Sequence, residues 1–164
     1  MITIEIDDAA ILRTLDRVAL AVTDLQPVLQ DIGETMVETT RERFLTGTSP
    51  EGVAWAPKSE ATLAHYARLP GKTDTRPLWG PSGDLHTYFA AQASATEVSW
   101  GTAVIYSAVM QFGAERGAFG TNAKGSPIPW GDIPARPFLG VSDEDRTSIL
   151  SALNDWLTQA WGSD

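Results

Sequence analysis

The side chains that most often perform catalysis or bind metals are few in this 164-residue sequence. His65 and His86 are its two histidines, and neither is spaced from another histidine or from carboxylates as zinc ligands would be. Serines are common, but none lies in the Gly-x-Ser-x-Gly turn that presents a nucleophile in α/β-hydrolases. We therefore predict no catalytic residue, no metal site and no cofactor, and we expect a protein that is not an enzyme.

Two further segments contain the residue types of known motifs in the wrong arrangement. Residues 120–126 have the order Lys-Gly-Ser where a phosphate-binding loop needs Gly-Lys-Ser/Thr, so we interpret them as a flexible loop. The carboxylates Asp143, Glu144 and Asp145 are consecutive, and consecutive helical residues point in different directions. Because they follow Ser142, they are better explained as the capped first turn of a helix.

Charge and composition exclude several classes of protein. The net charge is -9, the wrong sign for a protein whose affinity comes from neutralising phosphates, so non-specific nucleic-acid binding by the monomer is disfavoured. We also expect no sequence-specific nucleic-acid partner. An acidic surface would nevertheless suit a passage through which DNA slides. There is no cysteine, the N-terminus has no basic and apolar leader, and no stretch is long enough to cross a membrane. We therefore expect a soluble chain, compatible with the cytoplasm and without a membrane partner.

The N-terminal part, residues 8–46, is predicted to be helical after a short edge strand at residues 2–6. Apolar residues recur there at steps of three and four, and Phe44 continues their stripe: Ile11, Leu15, Val18, Val22, Leu25, Leu29, Ile32 and Met36. Pro27 interrupts this run, and a proline inside a helix costs about 3 kcal/mol. We predict a second helix that begins at Asp24, with a single kinked helix as the alternative. The stripe would pack in the core or a helix pair, or form a coiled-coil-like seam between subunits.

The rest of the chain is predicted to alternate short elements with long loops. The elements are an ordered loop at 47–57, a helix at 60–68 capped by Ser59, hairpin strands at 87–91 and 97–102, a helix at 105–112 and a final helix after Ser142. The segments 70–77 and 113–131 are expected to be mobile. We predict one domain, residues 1–164, with an α+β fold: N-terminal helices, a small antiparallel β-sheet with a hairpin, a C-terminal helix packed on the sheet, and long Gly/Pro-rich loops.

Six tryptophans are many for a chain of this length, and most of them should lie in the core. Trp55 would fix the loop at 47–57. Trp79 and Trp130 lie among glycines and prolines, where a large aromatic side chain is typical of an interface anchor.

Four blocks of sequence carry a likeness that extends from Asp31 to the final helix. They are Arg41-Glu42-Arg43-Phe44; Ser49-Pro50-Glu51-Gly52 with Trp55-Ala56-Pro57 and Ser59; Tyr106-Ser107-Ala108 with Gln111-Phe112-Gly113; and Ile133-Pro134-Ala135-Arg136-Pro137-Phe138-Leu139-Gly140 running into Ser142-Asp143-Glu144-Asp145. In these blocks the chain resembles the Mu-like phage virion-morphogenesis, or tail-completion, family. It departs from that pattern at Ser82-Gly83-Asp84-Leu85, where a Thr-Gly-Arg-Leu-like run is usual, and at Met110, where histidine is common. Both departures argue against essential histidine or arginine chemistry there.

The resemblance implies a structural virion protein of a tailed bacteriophage that completes the tail or the head–tail joint. Such a protein would form a homo-oligomeric ring, sixfold by tail symmetry, in contact with the tail tube, the connector or neck proteins. DNA would pass through the ring, which would be assembled in the host cytoplasm and kept in the tail or neck of the virion. The candidate subunit-interface residues are Trp55, Trp79, Gln111, Phe112, Trp130, Arg136 and Phe138. For Arg136 and Phe138 the alternative is that their segment only leads into the last helix.

Two other functions stay open. The protein could be an assembly adaptor or chaperone that is needed in morphogenesis but absent from the mature virion. It could also be an enzyme, such as a wall-degrading hydrolase that uses carboxylates.

Overall fold

The computed structural model describes residues 9–69, 71 and 74–162. Its elements follow the chain in this order: α1 (Ala9–Thr23), α2 (Gln26–Thr46), α3 (Glu60–Tyr66), α4 (Asp84–Thr87), β1 (Ala90–Ala93), β2 (Val98–Gly101), α5 (Ser107–Phe112) and α6 (Asp143–Gly162). Helices combine with an antiparallel strand pair, which confirms the predicted α+β fold. The strand predicted at residues 2–6 lies outside the described residues.

The N-terminal stripe is divided into two helices, as the position of Pro27 predicts. The backbone N–H of Gln26 donates to the Asp24 carboxylate at 3.0 Å, and Pro27 lies in the first turn of α2, where its missing N–H costs nothing. The helix itself begins at Gln26, two residues after the predicted start. It ends at Thr46 and is capped by Gly47, whose φ of 72° is left-handed and whose N–H donates to the Arg43 carbonyl.

The predicted hairpin is present, but its first strand begins later than expected. β1 pairs with β2 from Ala90 opposite Gly101 to Ala93 opposite Val98, whereas the expected strand started at Thr87. Thr87 instead ends the helical turn α4. Leu85 in this turn and Phe89, two residues after its end, are both buried.

Helix α2 lies directly against the hairpin because Gly33 has no side chain. A Cβ at this position would be only 2.8 Å from Ala91 Cβ and from Val98 Cγ2. The α2 residues Val28, Ile32 and Met36 form a buried cluster, against which Val98 of the hairpin and Ile149 of α6 also pack. The C-terminal helix therefore contacts the sheet region at this cluster, as predicted, and it also packs on α2.

The predicted apolar stripe has different surroundings in its two halves. In α2 it is core, since Ile32, Met36 and Phe44 are 4% exposed or less. In α1, which packs on α6, Leu15 and Val22 are about half exposed. A coiled-coil-like seam along α1 therefore stays a prediction.

The long loop at 113–131 contains no helix or strand but is folded back on itself by isolated bridges, one joining Ala114 to Ile133 and another joining Thr121 to Pro127. The mobility expected of this loop and of residues 70–77 stays a prediction. Within the described ranges, no helix is both long enough and apolar enough to span a membrane.

Candidate subunit interface

Phe138, one of the candidate interface residues, lies at the centre of an aromatic cluster. Its side chain is 0% exposed, and its ring centroid is 5.5 Å from that of Phe44 and 5.9 Å from that of Phe89. Trp55 packs edge-on against Phe44 at 5.4 Å, and its indole N–H donates to the Pro137 carbonyl at 2.8 Å. Phe138 and Trp55 are therefore part of the core of their own chain.

Arg136 connects the segment before the last helix to the loop that contains Trp55. Its guanidinium donates to the carbonyls of Ala56 and Pro57 at 2.7 and 2.8 Å, and the residue is only 7% exposed. Burial lowers the pKa of Arg136, although an arginine side chain in a protein keeps its proton. The planar fork of donors thus holds two consecutive carbonyls together, which a lysine could not do in the same way.

Gln111, at the end of α5, is bonded to the same segment on its other side. Its side-chain oxygen accepts from the backbone N–H groups of Phe138 and Leu139 at 2.9 and 3.0 Å. Its amide group donates to the Leu139 carbonyl at 2.9 Å. The side chain therefore satisfies backbone groups of a segment that has no neighbouring strand.

A buried ion pair, which the sequence did not reveal, completes this arrangement. Arg43 of α2 donates to the carbonyls of Phe138 and Gly140, both at 3.0 Å, and to the carboxylate of Asp145. Asp145 also accepts from the Ser142 N–H at 2.8 Å, and its own N–H donates to the Ser142 hydroxyl at 3.0 Å. The predicted helix cap is confirmed, and one of its carboxylates also ties α6 to α2. Both residues lie in the blocks that carry the family resemblance, but nothing in the sequence pairs them.

Trp79 also makes its contacts within the chain. Its indole N–H donates to the Phe44 carbonyl at 2.7 Å, while its ring stacks on His86 at 3.8 Å and lies beneath the Arg76 guanidinium at 3.5 Å. Burial, with a smaller contribution from the positive charge of Arg76, lowers the pKa of His86. His86 therefore has the surroundings of a packing residue.

The two remaining candidates, Phe112 and Trp130, face solvent. Phe112 is 78% exposed and Trp130 is 71% exposed. Other exposed apolar side chains lie in the same part of the sequence: Ile105, Phe119 and Ile128. The structure thus brings Trp55, Gln111, Arg136 and Phe138 together inside the chain, with Trp79 beside them on Phe44, and leaves Phe112 and Trp130 available for a subunit contact.

The described residues contain no group of three or more His, Cys, Asp or Glu side chains that could hold a metal ion. The stretch at 120–126 forms an exposed turn in which the Asn122 side chain accepts from the N–H groups of Lys124 and Ser126, so its backbone donors are used internally. One large concavity is an open groove of about 710 Å³ between α2 and β1. Its lining includes the acidic residues Asp31, Glu34 and Glu38 and the apolar residues Val37 and Phe89.

Comparison with known proteins gives consistent matches over nearly the whole chain. The model of the phage virion morphogenesis family matches residues 6–158. The Mu-like prophage FluMu G protein 2 of Haemophilus influenzae is 29% identical over 157 residues, which cover 95% of this chain and 96% of that protein. No solved structure matches.

Proposed function

Because the chain belongs to the phage virion morphogenesis family, we propose that it is a structural protein of a tailed phage that completes the tail or the head–tail joint. It acts there as a ring of identical subunits, sixfold by the symmetry of the tail. Its neighbours are the tail tube, the connector or the neck proteins, and DNA passes through the ring.

The observation that supports this proposal is that ionisable side chains are partnered inside the fold while large apolar side chains are exposed. Several ionisable side chains that could take part in catalysis are used inside the fold: Arg43 and Asp145 pair with each other, and His86 stacks on Trp79. Phe112 and Trp130 are large, apolar and exposed, which is the composition of a protein–protein contact. A net charge of -9 supports a ring whose surface does not bind passing DNA.

The test is the protein content and structure of purified phage particles. If the proposal is correct, the chain is found in the particles in a fixed number of copies, and electron microscopy of the tail end or neck shows density that these coordinates fit. Phage that lack the protein accumulate separate heads and tails or tails of abnormal length. Absence of the chain from mature particles would contradict the proposal and would support the adaptor or chaperone function.

Substituting carboxylates would distinguish a wall-degrading enzyme from a structural protein, because such an enzyme needs them for catalysis. Substituting the exposed carboxylates that line the groove, Asp31, Glu34 and Glu38, should then abolish infectivity without affecting assembly. Under our proposal, a substitution that leaves assembly intact leaves infectivity intact as well.

A further inference from the structure

Residues 114–133, here called the arm, form a folded-back extension. Ala114 and Ile133 exchange two backbone hydrogen bonds at its base, at 2.9 and 2.8 Å. Further along, the Phe119 N–H donates to the Ile128 carbonyl at 2.8 Å, and the tip is closed by Asn122. In the described part of the chain, the hydrogen bonds of residues 115–132 all join residues of that same stretch. The arm is thus ordered by its own backbone and makes few bonds to the body of the protein.

The side chains of the arm are those of a binding element. Phe119, Ile128 and Trp130 are 58%, 41% and 71% exposed. The arm contains two acidic residues, Glu115 and Asp132, and two basic ones, Arg116 and Lys124, so it carries no net charge in a chain of -9. The arm therefore exposes apolar side chains and is neutral overall, with the cation Lys124 at its tip, on a protein that is otherwise strongly acidic.

The groove between α2 and β1 has the complementary character. Its polar lining contains Asp31, Glu34 and Glu38, and the single cation, Arg41, is already paired with Glu38 at 2.7 Å. Its apolar lining consists of the alanines that begin β1 and of the edges of Val37 and Phe89, which are 7% and 8% exposed. Among the described residues β1 pairs with β2 alone, so its other edge has no neighbouring strand.

Because the arm presents exposed apolar side chains and a lysine at its tip, and the groove lining is acidic, we propose that the arm of one copy of this chain binds in the α2–β1 groove of a second copy. The aromatic side chains of the arm cover the apolar lining, and Lys124 at the tip lies among Asp31 and Glu34. The inference rests on the proposed function as a ring, for which it names the contact between subunits.

The contact is heterologous, because the arm and the groove are different surfaces. Each bound copy therefore keeps one free arm and one free groove, and successive contacts either close into a ring or continue as a filament. A twofold dimer, in which the same surface meets itself, is not produced in this way. The contact also predicts that the arm binds a neighbour and not its own chain.

Exchanging the charges of the two surfaces tests the contact. We expect Lys124→Glu and Glu34→Lys each to raise the concentration at which light scattering detects assembly by about tenfold, since each places like charges together. The double variant should restore assembly. Both positions are exposed, and the tip is held through Asn122, so the variants should fold. Matched controls are Glu42→Lys on the exposed side of α2 and Arg68→Glu after α3, which should not change assembly.

The absence of cysteine from the chain allows a second measurement. Lys124→Cys and Glu34→Cys, purified separately and mixed under oxidising conditions, should form a disulfide-linked heterodimer. The control replaces Glu34→Cys by Glu144→Cys, an exposed position at the start of α6, and should give no such product.

The proposed contact is overturned if the wild-type chain stays monomeric, if the double variant does not restore assembly, or if the two controls weaken assembly equally. If the charge variants assemble at the same concentration as the wild-type chain, another surface joins the copies and the arm binds a different partner. A failure of the proposed function looks different: the chain would then be absent from particles, while its self-association in solution would still respond to the exchanged charges.

Discussion

Replacing Asp145 by alanine should destabilise the fold by about 3–5 kcal/mol, because it leaves the Arg43 guanidinium buried without its carboxylate. The two side chains are 8% and 4% exposed, so water cannot easily replace the lost partner. Arg43 would keep its bonds to the carbonyls of Phe138 and Gly140, which accept hydrogen bonds but supply no full negative charge. Loss of the bond from the Ser142 N–H adds about 1 kcal/mol, the usual value of a helix cap.

Urea denaturation followed by tryptophan fluorescence would measure this loss of stability. An unchanged slope of the unfolding free energy against urea concentration would show that the variant exposes the same surface on unfolding. The control is Asp143→Ala, which removes a fully exposed carboxylate from the same turn of α6 and should shift the midpoint little. The double variant Arg43→Met/Asp145→Ala separates the pair from its parts. Removing both charges leaves no buried charge unpaired, so its cost should be at least about 1 kcal/mol below the sum of the two single costs.

Single costs that add within about 0.5 kcal/mol would refute this reasoning, since residues in direct contact should not behave independently. An Asp145→Ala variant no less stable than Asp143→Ala would refute it more directly. The ion pair would then not hold α6 against α2.

Three further predictions follow from single residues. Phe138→Ala should cost about 3–5 kcal/mol in urea unfolding, and any loss of assembly should disappear under conditions in which the variant is folded. Gly113→Ala should lower the thermal midpoint, because φ is 76° and the new Cβ would be 2.7 Å from the Ile133 carbonyl oxygen; an unchanged midpoint would contradict it. The lowered pKa of His86 means that the unfolded chain binds its proton more readily than the folded chain, so stability should fall as the pH drops below about 6.5. His86→Phe, compared by pH-dependent unfolding, should lose that part of the dependence.

Elements with strong local signals could be predicted closely. Ser59 accepts from the Thr62 N–H at 3.2 Å and begins α3, and Ser142 begins α6 in the same manner. Pro27 separates α1 from α2. Each of these residues acts on backbone groups within three positions of itself, so the sequence alone contains the whole interaction. Residues 84–87 were not predicted, because a single helical turn is too short to show its period.

The candidate site could be predicted only in part, because residue type does not distinguish a core from an interface. Trp, Arg and Phe are common in both places, and Arg136 and Phe138 have the types expected of a subunit contact. Their partners lie far away in sequence: Arg136 bonds to carbonyls 79 and 80 residues earlier, and Arg43 meets Asp145 after 102 residues. Such pairings follow from the tertiary fold and have no signature in the neighbouring residues.

The four blocks that carry the resemblance meet around one segment, residues 136–140. The first block supplies Arg43, the second supplies the carbonyl of Ala56, the third supplies Gln111, and the fourth contains the segment and Asp145. The residues of these blocks therefore hold the fold together and, by themselves, name no partner. Substitutions in the blocks should act through stability. Under the proposed function, the position of the protein on the phage particle would depend on surfaces outside the segment they surround, and the arm and the groove differ from it in having exposed side chains.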